Sequence, residues 1–243
     1  MRMLTFAGRN TKEILRDPLN LAFGLGFPLV LLLLLSAIQA NIPVSLFELR
    51  HLTPGIAVFG LSFMTLFSAT VIAKDRSSAL LQRLYTTPLT PADFILGYTL
   101  PMLPMAMAQC ALCYGAAVFL GLPVTGNILL AVVCNIPVSV LYIGLGLLCG
   151  SMLNDKQVGG VCGALLTNLS AWLSGIWFDL ELVGGAFQKI AHMLPFVHAV
   201  DLGRAALAGN LAAMLPHLWW VLGYTGVLLA AAVLLFLRQM KRQ

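Results

Sequence analysis

Charge is what this chain has least of. Asp, Glu, Lys and Arg make up 9% of its 243 residues, where a soluble domain carries about 25%. Hydrophobic residues make up 60%, and the mean hydropathy is +0.93. No charged residue occurs over positions 18–47, 51–73, 94–154, 157–178 or 205–237. These runs are continuous rather than alternating, which argues against a β-barrel. A membrane crossing needs about 20 apolar residues, so four of the runs hold one span each and 94–154 holds two.

Other absences exclude chemistry. No Gly-Lys pair occurs anywhere, so the chain has no phosphate-binding loop of the G-x-x-x-x-G-K-[ST] kind. No acid sits in the middle of a span; ion-driven carriers place such groups there despite their cost. No nucleophile–base pair occurs at membrane depth, which argues against an enzyme. Five cysteines are present, all within or beside spans. Cys110 and Cys113 form a C-x-x-C, but no second ligand pair accompanies it, and packing is the expected role rather than metal binding.

What charge there is falls between the apolar runs. Alternate segments put eleven of the fourteen Lys and Arg on one side and three on the other. Because Lys and Arg collect in cytoplasmic loops, both termini are expected in the cytoplasm. The expected architecture is an all-α membrane protein, a single transmembrane domain over 1–243 with spans at about 19–39, 53–73, 93–120, 127–150, 157–178 and 218–237. The first span is read as a retained helix and not a signal peptide, since its leader is long and contains Glu13 and Asp17.

Between the spans lie three features. Residues 1–17 read as an amphipathic interfacial helix: Met3, Leu4, Phe6, Ala7, Ile14 and Leu15 are apolar, while Arg2, Arg9, Lys12 and Arg16 are basic. Asp17-Pro18 then caps and restarts the chain, and Pro28 is expected to kink span one. Residues 74–92 form the second feature, a short helix with Leu80, Leu81 and Leu84 on one face. Thr86-Thr87-Pro88 ends it, and Thr90-Pro91-Ala92-Asp93 then starts span three with a capping box. The third is 179–216, too apolar for an exposed loop, with helical patterns near Phe187–Leu194 and Val197–Leu207; a re-entrant outer hairpin fits. Trp219 and Trp220 open span six at the interface.

Within the spans, Phe59, Phe63 and Phe67 recur every fourth residue, and Asn168, Ser170, Trp172, Ser174 and Trp177 follow in span five. These patterns fit ordinary helix packing or an amphipathic path for a cargo. Gly146 with Gly150 and Gly159 with Gly163 have the G-x-x-x-G spacing of close helix contact. Asp201 and Arg204, one turn apart, are expected to pair.

The segment Asp75-Arg76-Ser77-Ser78-Ala79-Leu80-Leu81-Gln82-Arg83-Leu84-Tyr85-Thr86-Thr87-Pro88-Leu89-Thr90 resembles the signature of the membrane subunits of type-2 ABC exporters. Leu15-Arg16-Asp17-Pro18, Pro28, and Leu194-Pro195-Phe196-Val197-His198-Ala199-Val200-Asp201-Leu202-Gly203-Arg204 look like further family features. Where family members carry a Gly after the Arg, this chain has Ser78 and Ala79. The resemblance implies the permease half of an ATP-driven exporter in the cell membrane, moving a drug-like compound, peptide or lipid. Multidrug efflux is an activity the resemblance implies.

It also implies that the chain is not itself the ATPase: ATP and Mg would sit on two copies of a cytosolic ATP-binding subunit. A second permease copy would complete the dimer, a homodimer being favoured over a heterodimer. The helix within 74–92 would be a coupling helix that docks in a groove of the ATPase, through Asp75, Arg76, Leu80, Leu81, Arg83 and Leu84, with Arg9 and Lys12 nearby. The same helix could instead lie on lipid headgroups. Spans two and five would line the cavity, giving Phe59, Phe63, Phe67, Asn168 and Trp172 as path residues. Nothing implies nucleic acid as a partner. A non-transporting scaffold or sensor and an ion-coupled carrier are the alternative functions.

Overall fold

A computed structural model describes residues 2–43, 47–78 and 90–240. All regular structure among them is helical. Five of the described helices are long and apolar enough to cross a membrane.

The chain begins with α1 (Arg2–Leu15). Its buried stripe is Phe6, Ala7, Asn10 and Ile14, whereas Leu4 and Leu15 stay exposed. The helix therefore packs on the bundle through a narrower face than composition implies. Asp17 caps the next helix, accepting from the Asn20 amide at 3.2 Å, and α2 covers 18–39. The disturbance expected at Pro28 takes the form of a π-helical stretch over Ala22–Gly26, just before Phe27–Gln39 resumes the α-helix. A proline has no N–H to give the preceding turn, and a π-bulge is one way a helix absorbs that loss.

Helix α3 (Leu49–Ser77) is the centre of the bundle: 83% of its most apolar window is buried, against 17% for α2. It starts before and ends beyond the expected 53–73, so Asp75 and Arg76 ride on its last turn. Helix α4 (Pro91–Phe119) opens with the expected capping box: the Thr90 hydroxyl accepts from the Asp93 amide, and the Asp93 carboxylate accepts from the Thr90 amide. Helix α5 (Gly126–Met152) follows a tight turn in which Gly121 has φ +112°.

Contact between α3 and α5 is made possible by missing side chains. A Cβ on Gly146 would lie 1.9 Å from Ser68 Oγ and 2.5 Å from the Thr65 carbonyl. One on Gly150 would lie 2.7 Å from the Ala69 carbonyl. Apolar burial gives little drive between helices in lipid, so such close backbone approach supplies the attraction. Thr65 Oγ1 donates to the Tyr142 carbonyl across this seam at 2.8 Å. Gly163 approaches only the Leu66 side chain, and Gly159 meets nothing, so the second G-x-x-x-G does not make a comparable seam.

The fifth expected span differs most. Asn154 caps it through Gln157, and the helix α6 covers 155–172, with a π-helical stretch over Gly159–Leu166. It ends at Trp172 rather than Phe178, and Gly175 turns the chain with φ +66°. This helix is not among the five long, apolar ones. Three short helices follow: α7 (Leu180–Val183), α8 (Gly185–Met193) and α9 (Pro195–Ala208). The two expected helical patterns in this region are α8 and α9. Gly209, at φ +72°, ends α9. Helix α10 (Leu211–Met240) begins seven residues before the expected span and carries Pro216 within it. Arg204 pairs with Asp201 at 3.3 Å as expected, and it also donates to the Gly175 carbonyl at 2.9 Å. That bond ties α9 to the turn after α6.

Candidate functional site: the junction at the root of the loop after α3

Helix α3 ends at Ser77 and α4 starts at Pro91. The connection over 79–89, with Leu80, Leu81, Arg83 and Leu84, lies outside the described residues. Its two roots are described, and they are held by an organised polar cluster.

Asp75 is 1% exposed. Burying a carboxylate is costly unless it is paired and hydrogen-bonded, and it is both. Arg9 Nη1 donates to Oδ2 at 2.6 Å, and the Tyr98 hydroxyl donates to the same oxygen at 2.7 Å. One carboxylate thus joins α1, α3 and α4. Partial burial works against the Arg9 charge, but the hydrogen bond and charge of Asp75 outweigh it and raise the guanidinium above its ordinary value. The other terminal nitrogen of Arg9 reaches Glu13 at 2.6 Å.

Packing around this pair brings α1 close to α4. Asn10 Nδ2 donates to the Gly97 carbonyl at 3.0 Å. A Cβ on Gly97 would stand 2.2 Å from the Phe6 ring, so only glycine lets α1 lie this near. Phe6 and Phe94 each meet Tyr98 edge-on at 4.9 Å. Phe94 also stacks on Phe236 of α10 at 4.1 Å.

Arg76 faces the opposite way. Its guanidinium donates to the Ser151 carbonyl and, at 2.8 Å, to the Leu153 carbonyl. These belong to the end of α5, whose last carbonyls have no helical partner. A cation there also complements the helix dipole. Asp75 and Arg76, adjacent in sequence, fasten the last turn of α3 to α1 and α4 on one side and to α5 on the other.

Lys12 is exposed and lines a cavity between α1 and the bundle, together with Phe67. The aromatic ladder is packed: Phe59 and Phe67 are buried, Phe27 of α2 contacts Phe59 and Phe63 at 6.2 and 5.8 Å, and Trp177 meets Phe59 at 5.8 Å. Asn168 and Trp172 lie on the exposed side of α6, Asn168 donating to the Ala164 carbonyl at 2.8 Å. The five candidate path residues therefore do not line one surface of the chain.

Tyr98, Asn10 and Gly97 escaped the sequence reading. The only sign of Asn10 is its position on the apolar stripe of α1, where a polar residue would otherwise be out of place. No group of His, Cys, Asp and Glu among the described residues could hold a metal ion.

Residues 2–208 match the family described as ABC-2 type transporter. No curated protein matches the chain.

Proposed function

The chain belongs to the ABC-2 type transporter family, and from that premise we propose that it is the membrane subunit of an ATP-driven exporter. Membership implies pairing with an ATP-binding subunit. In this reading two copies of that subunit grip two copies of the chain, both termini face the cytoplasm, and α6 with the turn after it completes a six-span bundle. Helices α7 to α9 dip into the outer leaflet as the re-entrant hairpin. The cargo is amphipathic or hydrophobic.

The observation that carries the proposal is the junction at Asp75 and Arg76. A loop that only connected two spans would need no such fixture at its root. Here a buried carboxylate and a carbonyl-capping arginine bind the loop's entrance to α1, α4 and α5, and a capping box fixes its exit. Leu80, Leu81 and Leu84 would seat in the ATPase groove, with Arg83 at its rim. A displacement of the loop would then reach four helices together. Exposed Asn168 and Trp172 would face the second copy and contribute to the path between protomers.

The test is transport in vesicles containing the chain and its ATP-binding subunit. Leu80→Asp combined with Leu84→Asp should abolish both cargo movement and the ATPase stimulation caused by the membrane subunit, while the variant still inserts and folds. Unchanged transport in that variant would refute docking. Full-rate transport by the purified chain alone would refute the whole reading.

A further inference from the structure

A cavity of about 830 Å³ lies between α1 and the bundle. Its inner wall is apolar, built from Leu21 of α2, Phe67 and Val71 of α3, and Met105 of α4. Gly24, in the π-helical stretch of α2, lets that helix close on this wall: a Cβ there would lie 2.5 Å from the Phe67 ring and 3.1 Å from Met105 Cε.

The rim is charged, and its charges are not balanced. Glu13 is paired with Arg9; Asp17 accepts from the Asn20 amide and Nδ2 at 3.2 and 2.7 Å, neutral donors that leave it one negative charge on the rim. Arg9 is taken up by Asp75 as well. Lys12, Arg16 and Lys74 line the same cavity. Among the described residues, no acid lies within ion-pair distance of these three.

An apolar wall beneath three unpaired cations and a single free carboxylate, a net positive rim, complements a molecule that is hydrocarbon at one end and anionic at the other. The wall nearest solvent is α1, an amphipathic helix of the kind that lies among headgroups. On the cytoplasmic side, basic pockets between membrane helices favour anionic headgroups. We propose that this cavity binds an acidic phospholipid of the inner leaflet. An acyl chain lies against Leu21, Phe67, Val71 and Met105, and the phosphate lies among Lys12, Arg16 and Lys74. The lipid fills the gap between α1 and α3 and braces the Arg9–Asp75 contact. The inference rests on α1 facing the cytoplasm, but not on transport, cargo or the ATP-binding partner.

The experiment uses the purified full chain in mild detergent, titrated with phosphatidylglycerol or phosphatidylcholine and read by native mass spectrometry. Wild type should retain phosphatidylglycerol over phosphatidylcholine. Each of Lys12→Ala, Arg16→Ala and Lys74→Ala should weaken phosphatidylglycerol retention about fivefold, and the triple variant on the order of a hundredfold. Should the triple variant fail to fold, the single variants carry the test. Arg50→Ala with Lys189→Ala, outside the cavity, should change nothing. Inorganic phosphate lacks the acyl chain and should not displace the lipid. Absence of headgroup preference in wild type, or a preference untouched by the rim variants, would overturn the site. Displacement by phosphate alone would reassign it to a free anion. Because no ATPase is present, failure here leaves the transport reading standing.

Discussion

Arg9 and Asp75 meet at 2.6 Å although 66 positions separate them, and the carboxylate is 1% exposed while the arginine side chain is 38% exposed. The pair is therefore unequal. Removing one partner of a buried pair costs roughly 3–5 kcal/mol, and the figure holds best for the change that strands the buried member. Arg9→Ala leaves Asp75 in the interior with Tyr98 alone. Asp75→Asn leaves Arg9 with Glu13, the Asn10 side-chain oxygen and water. Thermal unfolding in detergent should show the first variant as the less stable, and Asp75→Asn should restore part of the stability lost in Arg9→Ala. Equal losses, or a fully additive double variant, would mean the two side chains are not coupled.

Gly97 is the second point at which α1 is set. Gly97→Ala drives a methyl into the Phe6 ring and should cost about 1–3 kcal/mol, the usual penalty of overpacking. Phe6→Ala in the same chain removes the obstacle. Accessibility of a cysteine placed at Asn10 should rise in Gly97→Ala and fall again in the double variant. An unreactive Asn10→Cys in the single variant would show that α1 accommodates the methyl.

The seam between α3 and α5 makes a sharper forecast. Gly150→Leu would collide with the α3 backbone at Ala69, where nothing can swing aside. It should prevent recovery of folded protein. Gly159→Leu, which meets nothing within 4 Å, should be tolerated in the isolated chain. Comparable yields for the two variants on size-exclusion chromatography would contradict the seam.

Histidines on α8, α9 and α10 give a pH dependence. His198 Nδ1 lies 2.9 Å from His217 Nδ1, and His198 Nε2 lies 3.0 Å from the His192 carbonyl. The carbonyl requires a proton on Nε2, so neutral His198 accepts at Nδ1 and His217 donates. Burial lowers the His198 pKa below its ordinary 6.5; the His192 carbonyl and Asp201 oppose this, while the His217 and His192 rings add to it. A lowered value means the unfolded chain binds the proton first. Stability is full above about pH 6.5 and falls as pH drops through the folded value. His198 also stacks on Trp220 at 4.8 Å. Trp220 fluorescence should shift on acidification below pH 6.5, and His198→Phe should abolish the shift. A persistent shift in His198→Phe would assign it elsewhere.

Local signals were read correctly from sequence because they are local. Thr90-Pro91-Ala92-Asp93 and Asp17-Pro18 fix helix starts within one turn, and the structure has both. Gly146 and Gly150 are four apart on one face, and they touch α3 as that spacing implies. Apolar runs located the helices but not all their ends. Hydropathy counts side chains, while a helix stops where its hydrogen bonds stop, so α6 ends at Trp172 although apolar residues continue to Phe178. Pro216 looks like a breaker, yet α10 passes through it, with Asn210 capping the Ala213 amide at 3.1 Å. The junction at Asp75 was half legible. Its acid and arginine stand out in sequence, but their partners come from α1, α4 and α5, and only the folded chain brings those together.

The capping box at Thr90 and the paired anchors at Asp75 and Arg76 bracket the same short stretch of chain. Both ends of that stretch are therefore fixed to the helices, whatever lies between them. If the chain is driven through this loop as proposed, slack introduced at either end, for instance by glycines beside Ser78 or Thr90, should uncouple the drive from the helices.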